Sequence, residues 1–258
     1  MGIVILGAGG RLGSLLRPIF PGTAQWHCRA DVDLTDTPSL TAALRGAHAV
    51  FCMAGVTNAQ SALMDLNTDV AVRTLDAAAH AGAGRVFVFS SAAVYGNAAG
   101  LLPEDSALAP LSPYGRAKVA MENAAAAHAH PSTVLRLGNV AGADAVLNGW
   151  QPGFQLDVLP DGDTPWRSYI GPHALARVLH DLAYRAGLPH VLNVASPGCV
   201  AMGDLLDAAG LDWIARPASP ATIPSVNLDT SCLRAFTEFK PADATPTGIV
   251  EDWQKRRA

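Results

Sequence analysis

Tyr114 and Lys118 stand four positions apart in the run Ser112-Pro113-Tyr114-Gly115-Arg116-Ala117-Lys118. On a helix, residues at that spacing share one face, so the phenol and the ammonium come side by side. A phenol has an ordinary pKa of about 10 and needs help to exchange a proton near neutral pH. A neighbouring cation favours the phenolate and supplies that help. Upstream, Ser90-Ser91-Ala92-Ala93-Val94-Tyr95-Gly96 puts a hydroxyl at the end of an apolar run. Near the N-terminus, Gly7-Ala8-Gly9-Gly10-Arg11-Leu12-Gly13 follows the apolar Ile3-Val4-Ile5-Leu6. The three segments together predict a redox enzyme that moves a proton through Tyr114 and a hydride through a dinucleotide.

The glycine run places Gly7, Gly9, Gly10 and Gly13, with Arg11 and Leu12 between them, after a strand and at the start of a helix. Glycine lets the backbone approach a pyrophosphate, which sits where the helix N-terminal amides point outward. The spacing is GxxGxxG, because position 12 is leucine, and a structural glycine turn would use the same residues. Its place after the first strand of a βαβ pattern is what favours dinucleotide binding. Ala54 and Gly55, at the end of a third apolar run, extend the same cradle. Cofactor choice belongs at the end of the second strand, where an acid holds a ribose 2′-hydroxyl and an arginine favours a 2′-phosphate. Arg29 comes first there, ahead of Asp31 and Asp33, and Arg11 could reach the same phosphate. The cofactor is therefore NAD(P), with a lean to NADP; the alternative leaves Arg29 as a solvated loop charge.

These residues need a scaffold, and the first half of the chain supplies its signature. Short apolar runs alternate with longer alanine-rich stretches, the pattern of βαβ units on a parallel sheet. Strands are expected over 3–6, 25–29, 49–54, 86–90 and 133–137. Helices are expected over 11–20, from Thr37 or Ser39 as cap through Leu44, over 65–81, and from Tyr114 towards Pro131. Loops are expected from 54 through Gln60 and from Gly96 to Pro113. After Gly142 the rhythm weakens. Residues 148–172 carry many Gly, Pro and Asp with Trp150, Phe154 and Trp166, which suits a substrate-covering loop or lobe, the aromatics lining a pocket or forming local core. A helix over 173–186, a strand over 191–195 and a helix over 202–209 follow, then loops with short elements over 211–247. The fold class is thus α/β, a Rossmann-type doubly wound parallel sheet with a small C-terminal substrate lobe. The expected division is a dinucleotide-binding part over 1–142, with contributions from 166–200, and a mixed substrate-binding lobe over 143–258.

Composition narrows the class further. The 258 residues are 50% hydrophobic and carry a formal net charge of -4, which allows a sizeable core and predicts no general affinity for nucleic acid or anionic membranes. The one basic cluster, Lys255-Arg256-Arg257, reads as a solvated helix end. No apolar run is long enough to span a bilayer, and Met1-Gly2 enters the first strand without room for a signal peptide. Cys28, Cys52, Cys199 and Cys232 lack metal-ligand spacing, with Cys28 and Cys52 expected as buried thiols. His128 and His130 would fall on different faces of a helix, and no HExxH occurs, so no metal is expected. The compartment expected is the cytoplasm.

A lone YxxxK is common by chance; order and setting make this one specific. Glycine turn, strand-end Ser90-Ser91 and then Tyr114 and Lys118 resemble an extended short-chain dehydrogenase/reductase of the NAD-dependent epimerase/dehydratase family. The SSxxVYG-like and SPYGxxK-like segments stand nearly intact. Asp33-Leu34 is similar to the family's adenine-contacting pair, Asn67 to its helix asparagine, and Arg136-Leu137-Gly138-Asn139-Val140 to its RxxNV element. Arg167-Ser168-Tyr169-Ile170 resembles its RDYI element, and Leu192-Asn193-Val194 its late YNV strand. The likeness covers most of residues 1–200.

The resemblance implies roles residue by residue. Ser91 would hydrogen-bond the substrate oxygen, Tyr114 would act as acid/base, and Lys118 would lower the phenol's pKa and bind the nicotinamide ribose. Asn139 would lie on the substrate side near the nicotinamide, with Val140 beside the cofactor. Arg167 would clamp a diphosphate, bind a smaller anion or pair with a nearby carboxylate. There are departures. Ala92 and Ala93 replace the Asp-Glu pair of the family's dehydratases, so the implied chemistry is hydride transfer without dehydration. Ser168 replaces an aspartate, Gly171-Pro172-His173 replaces a VxD, and the chain is shorter in the substrate lobe than nucleotide-sugar members. The reading is an NAD(P)-dependent oxidoreductase acting on a small-molecule secondary alcohol or ketone, a sugar or sugar derivative. The alternatives are a nucleotide-sugar epimerase, a non-catalytic NAD(P)-binding regulator, and a flavin or other nucleotide binder. A homodimer through the helices after Asn67 and around Tyr114 is a further expectation. Tyr95 is expected to pack near the site, and His173 to cap a helix or face solvent.

Overall fold

The computed structural model describes residues 2–57 and 63–255. Of the loop expected through Gln60, positions 58–60 lie outside the described residues, as do Met1 and, in the basic end, Arg256 and Arg257. In chain order the first half runs β1 (Gly2–Leu6), α1 (Arg11–Leu16), β2 (Ala24–His27), α2 (Thr37–Leu44), β3 (Ala47–Cys52) and α3 (Leu66–Ala81). It continues with β4 (Arg85–Ser91), β5 (Leu101–Leu102), α4 (Pro113–Ala127) and β6 (Ser132–Leu137). The second half is more broken: β7 (Asn139–Val140), β8 (Gln155–Val158), β9 (Trp166–Arg167), β10 (Tyr169–Ile170), α5 (Pro172–Ala183) and β11 (Val191–Val194). It ends with β12 (Val200–Ala201), α6 (Met202–Ala208), β13 (Ile214–Pro217), β14 (Ser225–Leu228) and α7 (Pro246–Gln254).

Six of these strands form one parallel sheet in the order β11-β6-β4-β3-β1-β2. The chain leaves β1 for β2 on one side and returns to β3 on the other, so the strand order reverses between β1 and β3. Ligands of doubly wound sheets bind outside the strand ends at such a point, and Gly7 and Met53 are the residues that follow those two ends. The apolar runs lack alternation because both faces are covered. Successive side chains point to opposite faces: Ile3, Ile5, Phe51 and Phe87 pack against Leu15 of α1 and Leu175 and Leu179 of α5. Val4, Leu6, Val50 and Val88 pack against α2, α3 and α4 through Leu40, Leu75 and Met121. A third cluster joins Leu147, Leu156, Tyr169, Leu205, Ile249 and Trp253.

Several local expectations are corrected. The cap of α2 is Asp36, whose carboxylate accepts from Ser39 N (3.3 Å), rather than Thr37 or Ser39. Helix α4 ends at Ala127 with His128 extended, so His128 and His130 lie past it rather than on two of its faces. Cys52 is buried, but Cys28 follows the end of β2 and is part-exposed. Trp150 and Phe154 pack on the third cluster as local core, and Trp166 reaches Asp163 (3.4 Å). Helix α7, for which the sequence offered only the basic end, is started by Thr245, whose hydroxyl accepts from Gly248 N. Among the described residues no helix is long and apolar enough to cross a membrane.

Candidate active site

Strand β4 delivers Ser90 and Ser91 to opposite faces of the sheet. Ser91 Oγ accepts from Ala93 N (3.2 Å) and so starts the tight turn over 92–95. Helix α4 is started by Ser112, whose Oγ accepts from Gly115 N (3.0 Å), with Pro113 pre-set for the first helical position. Gly115 lets that first turn seat on the 92–95 turn: a Cβ there would stand 2.7 Å from the Ala93 carbonyl oxygen. The seating brings the Tyr114 phenol and the Ser91 hydroxyl to the same cleft.

Lys118, one turn on, is buried. Its Nζ donates to the Phe89 carbonyl (2.7 Å) and to Asn67 Oδ1 (3.2 Å) and lies 5.7 Å from the centroid of the Tyr114 ring. Asn67 also grips the loop after β3: Val56 N donates to its Oδ1 and its Nδ2 donates to Val56 O, both at 3.1 Å. Burial pushes the Lys118 ammonium down to about 8. Burial pushes the Tyr114 phenol up, and the Ser91 hydroxyl opposes that only in part. This corrects the expectation of a phenol lowered by Lys118. The ammonium spends its short contacts on Phe89 and Asn67, and desolvation of the phenolate outweighs what remains.

A cleft of about 480 Å³ runs past these groups, lined by Gly7, Gly10, Arg11, Leu12 and Gly13 on one wall and by Gly55, Ser91, Tyr114, Lys118, Asn139 and Val140 elsewhere. Gly7 has a φ of +91°, and a Cβ there would stand 2.7 Å from Ala54 N; one on Gly13 would stand 2.5 Å from Gly7 O. At its three glycines this wall is bare backbone, and a cradle of this kind fits a pyrophosphate. Ser90 and, from the Arg136–Val140 run, Leu137 and Gly138 also line the cleft, as do Thr57, Met53, Phe89 and the stretch Ala143-Asp144-Ala145, which nothing in type or spacing had singled out.

Other expected residues fall outside the lining. Gly9 is exposed and lies over Cys28, and Ala54 sits behind Gly7. Arg29 is exposed. Asp33 accepts from Thr35 N and Oγ1 (both 2.8 Å), which holds its carboxyl below the usual range. Leu34 packs on the cluster beneath α2 and α3. Arg11 does line the cleft, but its Nη1 donates to Ala143 O (3.0 Å), so it is not gathered with Arg29 onto one phosphate.

Arg167 lies on β9 and lines a second cavity of about 220 Å³, which shares Ser91, Leu137 and Asn139 with the main cleft. Its guanidinium donates to the carbonyls of Trp166 (2.7 Å) and Ile223 (2.8 Å). Among the described residues no carboxylate pairs with it, so the carboxylate-partner alternative is not met. His173 is part-exposed and outside the cleft lining: Nδ1 stands 2.6 Å from Asp252 Oδ1, and Asp252, not His173, accepts the amides that open α5. Tyr95 is fully buried, donates to Asn193 Oδ1 (2.8 Å) and accepts from Arg136 Nη1 (2.9 Å). Two further features went unread in the sequence. Glu122 forms a buried pair with Arg136 (2.7 Å). Tyr169 bridges Asn139 and Asp144, its hydroxyl donating to Asp144 Oδ2 (2.6 Å). Glu122 carried one available signal, its place one turn after Lys118 on the same helix.

Comparison with known proteins agrees with this geometry. A segment of 83 residues is 41% identical to UDP-glucose 4-epimerase of Azospirillum brasilense, covering 30% of this chain and 24% of that protein. The fold is similar to that of MoeE5 in complex with UDP-glucuronic acid and NAD, with a TM-score of 0.75, 22% identity and 100% of both chains covered. It is also similar to Bordetella bronchiseptica WbmG in complex with NAD and UDP, with a TM-score of 0.73, 22% identity, and 99% of this chain and 96% of that one covered. The profile of the NAD dependent epimerase/dehydratase family matches residues 3–151, more than half of the 258, and the chain belongs to that family.

Proposed function

We propose that the chain is an NAD(P)-dependent oxidoreductase of the extended short-chain type, transferring a hydride at a secondary alcohol or ketone of a sugar or sugar derivative. The observation that carries this reading is the convergence of Ser91, Tyr114 and Lys118 on one cleft with the bare glycine wall of Gly7, Gly10 and Gly13. A dinucleotide bound there supplies or accepts the hydride. Gly7, Gly10, Leu12 and Gly13 leave room for its pyrophosphate, and Lys118 and Val140 lie where its nicotinamide half would be held.

Ser91 holds the carbonyl oxygen of the substrate, and Tyr114 gives its proton to that oxygen as negative charge develops. A phenol pushed up by burial keeps its proton at neutral pH, which suits the reductive direction. Lys118, itself fixed by Phe89 O and Asn67, lies 5.7 Å from the centroid of the phenol ring. Asn139 lies at the mouth shared by cleft and second cavity, as a substrate-side group. Ala92 and Ala93 line that second cavity and offer no acid or base for elimination. The decisive test is Tyr114→Phe: cofactor still binds, and turnover is nearly abolished. Retained turnover would overturn the mechanism.

The second reading, a nucleotide-sugar epimerase, is favoured by the local identity to a UDP-glucose 4-epimerase. Cofactor that stays bound through purification, with no net change in reduced-nicotinamide absorbance during turnover, would select it. A non-catalytic regulator ranks lower, because the full set of Ser91, Tyr114 and Lys118 is kept. The lean to NADP now rests on Arg29 alone, and tighter binding of NADH than NADPH would reverse it. The same reading assigns 1–142 with parts of 166–200 to the cofactor and 143–258 to the substrate, a cytoplasmic setting, and a homodimer through α3 and α4.

A further inference from the structure

We propose that Arg11 is a latch over the cofactor: its side chain spans the cleft from the glycine turn to the Ala143 carbonyl and sets how slowly a bound dinucleotide leaves. The proposal rests on the reading that the glycine wall takes a dinucleotide. It assigns to one side chain the exchange step that separates net redox from hydride return.

Both posts of the latch are fixed. On the near side the turn is tied to β2 and to itself. The amides of Gly7 and Ala8 donate to the His27 carbonyl (2.9 and 3.0 Å), and that of Gly10 donates to the Gly7 carbonyl (3.0 Å). On the far side Ala143 N donates to Val140 O (2.9 Å). Gly142, at a φ of +81°, leaves the space that Trp253 of α7 fills, and a Cβ there would stand 2.4 Å from the indole. Asp144 is held by the Tyr169 hydroxyl (2.6 Å) and by the amides of Val146 and Leu147 (both 3.3 Å). Moving either post breaks several bonds. The Arg11 side chain moves by giving up one.

The span joins positions 132 apart in sequence, with Arg11 Nη1 donating to Ala143 O (3.0 Å). Gly10, Arg11, Ala143 and Asp144 line one cleft, and Arg11 is exposed, so the bridge lies at the rim, where a ligand enters and leaves. A guanidinium has five N–H donors, and the Ala143 carbonyl is a neutral partner. Among the described residues no carboxylate pairs with Arg11; that of Asp144, on the same wall, is engaged by Tyr169. Donors and charge are therefore left for a ligand, and the pyrophosphate is the part of a dinucleotide with anionic acceptors. Before binding, opening costs one exposed hydrogen bond and entry is little slowed. With the dinucleotide in place, exit breaks the carbonyl bond and the phosphate contact together.

The test is stopped-flow displacement of bound NADH and of bound NADPH by excess oxidised cofactor, read by nicotinamide fluorescence, in wild type and in Arg11→Met. The variant should release cofactor about tenfold faster, the low end for a hydrogen bond to a charged group because the guanidinium is exposed. The factor should be the same for both dinucleotides, with association little changed. Arg11→Lys keeps the charge without the planar fork and should fall between. Unchanged release in Arg11→Met, faster release of NADPH with none for NADH, or an affinity loss carried by slower association would each overturn the latch. The second outcome assigns Arg11 to the 2′-phosphate, the third to long-range steering. Should Arg11→Met not fold, release from Arg11→Lys decides on the same readout. Failure of wild type to bind either dinucleotide sinks the dinucleotide reading and the latch with it; normal binding with unchanged release in Arg11→Met sinks the latch alone.

Discussion

Ser90 and Ser91 both border the cleft, but Ser90 Oγ donates to Glu122 Oε1 (2.5 Å) inside a polar network, whereas Ser91 has no carboxylate partner. On the Ser90 side, the Arg136 guanidinium meets Glu122 through Nε and Nη2 and also donates to Tyr95 and to the Glu104 carbonyl. On the Ser91 side, Lys118 donates to a carbonyl, an amide oxygen and the Met121 sulfur, and has no carboxylate in hydrogen-bond contact. Arg136 and Lys118 are both buried, the ammonium more deeply than the guanidinium, and they differ in their partners as well. Desolvation pulls the Arg136 pKa down, but the hydrogen bond and charge of Glu122 more than offset it, and the net direction is up. For Lys118 desolvation prevails: Cys52 and Glu122 act on it through charge alone, without a hydrogen bond, and it falls to about 8. A compensated buried charge serves as a fixed strut; an uncompensated one titrates near working pH and serves chemistry.

The largest effect that would sharpen this contrast is on turnover. Tyr114→Phe should lower kcat by about 10²–10⁴, the usual yield of a positioned acid, with little change in Tm. Next comes Arg136→Met, which strands Glu122 as a lone buried charge and should cost about 3–5 kcal/mol in denaturant unfolding. A variant as stable as wild type would erase the distinction between strut and site. The serine pair gives a smaller and cleaner version. Ser90→Ala removes a bond to a carboxylate and should cost about 1.5–3 kcal/mol of stability while the protein still binds cofactor. Ser91→Ala should lose turnover and little stability, and the reverse outcome would break the comparison.

An effect of about the same size falls on pH dependence. The folded pKa of Lys118 lies below its ordinary 10.5, so between about 8 and 10.5 the unfolded chain holds a proton that the folded chain has released. Stability of wild type relative to Lys118→Met should therefore rise with pH through that window, and be lowest below 8, where the buried charge is carried in full. Turnover should fall as pH climbs through about 8 and the ammonium is lost. A stability difference that stays flat from pH 7 to 10 would remove Lys118 from the class of uncompensated charges.

Much of this molecule was written locally in its sequence. Strand–glycine–helix at 3–16, the Ser112-Pro113 helix start, and the four-residue spacing of Tyr114 and Lys118 each depend on neighbours within a turn or two, and period and cap chemistry suffice to read them. Family and sheet type followed from their order. What the tertiary structure alone decided are the pairings across large separations and the burial they create. Tyr95 reaches Asn193, 98 positions away, and Asp252 caps a helix 78 positions upstream. Arg167 is held through the Ile223 carbonyl rather than by a carboxylate. The sign of a pKa belongs to the same class. Spacing put Lys118 beside Tyr114, but whether the phenol rises or falls depends on how much water the packed helix and sheet exclude, and no local pattern encodes that balance.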